Sequence, residues 1–199
     1  MTKTYKPILY STPMVEAIID DLKSQTRRPI NPQPKKQLKH VGMGYWSENP
    51  EDLKQAYVKA KYQVGDILWV RETFKKTDYT ISGYTYKAHG HPEMPKTGWK
   101  PSIHMPKKAA RLFLEVIAVR VEPLRNILHY DARQEGVKFI DGLSSKKFYY
   151  NYLTLDFRCN ELYSFMTLWQ SIYGEDSWLE NPWVWVYEFK RIERPVDFI

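Results

Sequence analysis

The stretch DLKSQTRRP, residues 21–29, ends one element and begins another. Upstream, a Thr12-Pro13 start suits a helix N-terminus, and Met14, Val15, Ile18, Ile19 and Leu22 recur at helical spacing. Downstream, Pro29 pushes Arg28 towards an extended conformation. The stretch therefore reads as a helix C-terminus running into a strand. Its side chains can do chemistry there. Burial can lower the pKa of Lys23 so that it acts as a base, Thr26 offers a hydroxyl to activate, and the Arg28 fork can clamp a phosphate or a carbonyl. The plainer alternative is a helix end decorated with cations, which the helix dipole favours.

Working outwards, YKPILY (5–10) reads as a strand, VGDILWVRETF (64–74) as a turn and strand, and ARLFLEVIAVRVEPL (110–124) as a long strand buried on both faces. HYDARQEGV (129–137) reads as a short helix stopping near Gly136. ELYSFMTLWQSIYG (161–174) is an amphipathic helix with Leu162, Phe165, Trp169 and Ile172 on one face and Gly174 at its end. PWVWVYEFKRI (182–192) closes the chain as a strand. Three segments interrupt this series as insertions: about 31–62, with an exposed helix near 50–60; 75–108, with a hairpin around Ser82-Gly83; and 138–160. The order lacks regular βαβ alternation, which argues against a doubly wound sheet. It predicts one α+β domain over 1–199, a small β-barrel with flanking helices and loop insertions.

The 199 residues are 43% hydrophobic and 15% aromatic, enough for a packed core, and carry a net charge of +7. A basic surface suits a polyanion, nucleic acid above all, although a soluble protein can simply be basic. The single cysteine, Cys159, excludes an intrachain disulfide and a cysteine-based zinc site, and points to the cytoplasm. The first residues lack the apolar core of a signal peptide, and no apolar run has the length of a membrane span. No cofactor or metal is expected: His89 and His91 have no acidic or cysteine cluster beside them.

Other residues carry weaker signals. Glu135 could act as an acid or base, or pair with Lys23. Arg71 and Glu72 adjoin on an apolar strand, where one faces inwards and is costly unless paired. His104 could line a pocket, and Lys107, Lys108 and Arg111 form a basic cluster suited to phosphates. Trp46, Tyr84, Tyr86 and Trp99 fall in loop-like segments and could stack on bases, whereas Trp169, Trp183 and Trp185 read as core.

Together these pieces resemble the ASCH family. Its signature Gly-x-Lys-x-x-Thr-x-Arg stands here as Asp21 to Arg28, with Asp in place of Gly. A Gly65-Asp66 turn leads the next strand, and the closing strand ends in Glu188-Phe189-Lys190. The resemblance covers residues 5–30, 61–74, 110–137 and 161–192, and the whole sequence is similar to a phage and prophage subgroup. It implies a PUA-like barrel. One branch of that family hydrolyses the amide of N4-acetylcytidine, and its catalytic Lys, Thr and Glu fall on Lys23, Thr26 and Glu135. By that analogy Lys23 activates Thr26 or a water, Glu135 shuttles a proton, and Arg28 holds the substrate. Three readings follow: a module binding nucleic acid or a modified nucleoside, RNA ahead of DNA; an amidohydrolase on N4-acylated cytidine-type nucleosides, or a nuclease; and a phage accessory protein that binds a host protein.

Overall fold

The computed structural model describes residues 4–42, 45–48, 58–78, 80–88, 98–142 and 146–198. The chain is α+β. Its principal sheet is assembled from β1 (Tyr5–Leu9), β2 (Gln25–Pro29), β6 (Ile67–Arg71), β9 (Phe113–Pro123) and β13 (Trp183–Ile192), in the order β1-β6-β9-β13-β2. The β1 and β6 strands run parallel and the other neighbours antiparallel. Helices α1 (Thr12–Ile19), α2 (His129–Gln134) and α3 (Glu161–Tyr173) flank this sheet. Pro13 sits in the first turn of α1, the Asn160 side chain caps α3 by accepting from the Tyr163 N–H, and Gly174 ends α3 at φ +99°.

The expected barrel is not there. The sheet stays open, with β1 and β2 as its two edges, and among the described residues no sheet closes on itself. Each edge carries a proline, Pro7 and Pro29, which removes a ladder donor and belongs on an edge strand. What spans the gap is a side chain: Arg28 of β2 donates to the Leu9 carbonyl of β1 at 2.9 Å.

The interrupting segments also carry small sheets. β3 (Lys39–Gly42), β4 (Tyr45–Ser47) and β5 (Val58–Lys59) form one, β7 (Phe74–Lys76) and β8 (Tyr84–Tyr86) a hairpin, and β10 (Phe139–Asp141), β11 (Lys147–Asn151) and β12 (Asp156–Cys159) a third. The expected helix near 50–60 falls largely outside the described residues, as do His89 and His91; its described end, Val58–Lys59, is a strand.

Alternation along β13 sorts its side chains into two cores. Trp185 and Tyr187 face one core with Ile8, Tyr10, Val15 and Trp46; Val184 and Val186 face another with Phe165, Leu168 and Trp169 of α3. A third core gathers around Phe113 and Phe198. Only the first half of β9 is buried on both sides; Ile117 is exposed and the remainder half-buried. On α3 the buried face centres on Phe165, Leu168 and Trp169, leaving Ile172 exposed.

Candidate functional site

Register decides where the signature residues go. Thr26 lies opposite Tyr187 and Arg28 opposite Trp185, so both share one face of the sheet. Arg27 lies opposite Val186, which in turn faces Arg120 on β9, so these take the other face. The strand thus splits its two arginines between two environments.

Lys23 and Glu135 meet just before β2, where the Glu135 carboxylate takes Lys23 on one oxygen and Arg27, from the other face, on the second. The Lys23 ammonium donates to the Glu135 backbone oxygen at 2.8 Å and to its carboxylate at 3.0 Å, and both side chains are buried. Two features bring them together. Asp21 turns the chain at φ +57°, in the position where the resemblance has glycine, and Gly136 at φ +77° lets α2 end directly against Lys23. Burial lowers the Lys23 pKa; the Glu135 carboxylate opposes this without cancelling it, and Arg28 and Arg27 add to the lowering. Thr26 is buried beside Tyr10, whose hydroxyl is itself buried without a hydrogen bond of ordinary geometry. Burial pushes the Tyr10 phenol well above its ordinary pKa, against the pull of Arg28 and Thr26. Lys23 Nζ and Arg28 Cζ stand 5.6 and 5.4 Å from the centre of the Tyr10 ring. Lys23, Thr26, Arg28 and Glu135 therefore gather around Tyr10. Of the four, only Arg28 lines a cleft described below.

Arg28 sits where the sheet fails to close. Besides the Leu9 carbonyl it has the Tyr173 hydroxyl within hydrogen-bonding reach, and no carboxylate pairs with it among the described residues. It lines a slot of about 370 Å³ between the edges. Buried Tyr62, Trp185 and Tyr187 line that slot from within, and exposed Asn31, Lys59 and Lys61 lie on its rim. On its other side Arg28 lines a more apolar cleft of about 340 Å³ against α1 and α3.

The opposite face holds a charge network that the sequence reading missed. Arg27, fully buried, donates to Glu122 at 2.7 Å, to Glu135 at 3.0 Å and to the Gln25 amide oxygen at 3.1 Å, and lies 3.4 Å from Asp131. Arg120 bridges Glu122, Asp131 and Glu188. Burial acts to raise the Asp131 pKa, but hydrogen bonds from Gln25 and the Leu128 N–H, with Arg27 and Arg120, hold it below its ordinary value. The signal available in the sequence was spacing: Gln25 and Arg27, like Arg120 and Glu122, stand two apart on strands and so share a face. This network walls a third cleft, larger than the other two at about 490 Å³.

The remaining expected residues lie elsewhere. Glu72 is buried just past β6 and receives a two-pronged pair from Arg111, at 2.8 and 2.9 Å. Burial raises the Glu72 pKa against the pull of Arg111. Arg111 also stacks on Tyr86 and donates to the Ala88 carbonyl. Arg71 donates to the Ile103 carbonyl and lies over Trp69. Lys107 rests on the Phe198 ring, while His104 and Lys108 are exposed. None of these six lines the three clefts. Trp46 and Tyr84, read as stacking platforms, are buried; Trp46 packs edge-on against Trp185. Among the described residues no group of three or more His, Cys, Asp and Glu is placed to hold a metal ion, and no helix is long and apolar enough to cross a membrane.

No family model, curated protein or solved structure matches this chain.

Proposed function

We propose that this protein binds a base or nucleotide of a nucleic acid, RNA ahead of DNA, in the slot between β1 and β2. The observation that carries the reading is Arg28: a half-buried guanidinium with no carboxylate partner among the described residues, set between aromatic walls and a basic rim. Buried arginines are ordinarily paired, so an anionic or carbonyl-rich ligand supplies what this one lacks. Aromatic faces suit a base, whose stacking is worth about 1–3 kcal/mol, and Lys59 and Lys61 suit its phosphates. The net charge of +7 and the resemblance to the ASCH family at Lys23, Thr26 and Arg28 agree with it.

The test is titration of labelled single-stranded RNA and DNA, and of nucleoside monophosphates, at low and moderate salt. Binding that weakens at least tenfold in Arg28→Ala, with a salt slope reduced by about one in Lys61→Ala, supports the reading. A wild-type protein that binds none of these ligands at low salt overturns it, and moves weight to a host-protein partner.

A second reading has its own observation. Lys23, its pKa lowered by burial, contacts Glu135 beside Thr26, which is the trio an amidohydrolase of N4-acylated cytidine would use. Lys23, Thr26 and Glu135 are all buried, so substrate access requires the packing around them to open. Release of cytidine from N4-acetylcytidine, lost in Lys23→Met, supports this reading; no turnover above that of Lys23→Met removes it.

A further inference from the structure

The cleft on the other side of Arg28 has a different character from the slot. Its walls are Leu9 at the end of β1, Pro13 and Met14 on α1, and Leu168 and Ile172 on α3, and among the described residues Arg28 is the one charged residue that lines it. Its volume of about 340 Å³ falls at the small end of the range that holds small molecules. We propose that this cleft binds a small apolar monocarboxylate, with its chain along α1 and α3 and its carboxylate on the Arg28 guanidinium.

Three features select that chemistry. The walls supply dispersion and exclude water, so the bulk of the ligand is apolar. The only charge is positive and lacks a carboxylate among the described residues, so the ligand is an anion. A planar guanidinium matches a carboxylate with two parallel donors. Ser11, Tyr152 and Ser171 are the remaining polar residues of the lining; the Ser171 hydroxyl is already committed to the Leu168 carbonyl at 2.7 Å, and the Tyr152 hydroxyl accepts from the Lys138 N–H at 3.1 Å. A sugar or other polyol would find few partners. Arg28 lines both the cleft and the slot, so an anion in the slot competes for it, and the titration is made without nucleotide present.

The experiment titrates the protein with carboxyl-labelled octanoate, observed by NMR, beside butanoate, hexanoate and octan-1-ol. Saturable binding is expected to tighten about fourfold for each added methylene. Octan-1-ol should bind at least tenfold more weakly than octanoate. Arg28→Gln should erase the difference between acid and alcohol. Ser171→Trp, which leaves Arg28 in place and fills the cleft, should abolish binding of both. Thermal unfolding of each variant confirms that it is folded. The proposal is overturned if octanoate does not saturate, if acid and alcohol bind wild type alike, or if a folded Ser171→Trp protein binds octanoate as wild type does. The nucleotide titrations above remain informative in every case, because Ser171 does not line the slot.

Discussion

Arg27→Met is the perturbation that most directly tests the charge network. The Arg27 side chain has no exposed surface and makes ion pairs to Glu122, Glu135 and Asp131 at 2.7, 3.0 and 3.4 Å. Methionine keeps the apolar stem but leaves three carboxylates sharing Lys23 and Arg120. Removing one partner from a buried pair costs about 3–5 kcal/mol. The two remaining cations hold the expected loss near the lower end, about 3 kcal/mol. With a urea dependence of about 2 kcal/mol per molar, the unfolding midpoint should fall by about 1.5 M at pH 7. The pH dependence carries a sign as well. Asp131 has a depressed pKa in the folded protein, so its contribution is present above the ordinary carboxyl range and is lost as pH falls through the folded value. Arg27 is one of the cations holding it down. The gap between wild type and Arg27→Met should therefore narrow as the pH is taken from 7 to below the ordinary aspartate value of 3.8. A loss under about 1 kcal/mol at pH 7, or a gap that does not change on acidification, refutes the assignment of Arg27 as the hub.

Three further outcomes follow from the geometry. Glu72 has a raised pKa, so the stability it contributes declines as pH rises from its ordinary value of 4.5 through the folded one; Glu72→Gln should flatten that decline in urea titrations, whereas Arg111→Ala, which strands a buried carboxylate, should steepen it and cost about 3 kcal/mol at pH 7. Gly136→Ala would place a Cβ 2.7 Å from that of Lys23 and 2.8 Å from that of Ala17, at φ +77°, so a loss above about 2 kcal/mol is expected by chemical denaturation, and a neutral result would contradict the tight turn. Asp21→Gly removes left-handed strain at φ +57° and gives up only an exposed pair with Arg191, so it should leave stability unchanged or raise it by up to about 1 kcal/mol in the same assay.

The elements with a full period were legible in the residues. Met14 to Ile19, Leu162 to Trp169 and the β-branched runs of β6, β9 and β13 each announce their type because enough residues repeat. The short strands of the interrupting sheets, two to five residues each, are below the length at which alternation separates a strand from a loop. Openness of the main sheet was not legible either, because it depends on which edges meet after folding. Pro7 and Pro29 were visible, but not that their strands would be the two edges of one sheet. The same limit explains the site. Lys23 and Glu135 could be paired on paper, whereas the split of Arg27 and Arg28 between opposite faces needed the β2–β13 register. Tyr62 and Lys61 joined the slot only through the fold.

The strand order has a consequence for how the chain is made. Residues 183–192 lie between β9 and β2, and β2 at residues 25–29 has that strand as its one neighbour in the sheet. Synthesis therefore delivers the keystone after the pieces it joins. Until it emerges, the early strand waits without its mate, and the nascent protein depends on slow, long-distance pairing of the kind that invites chaperones and punishes premature termination.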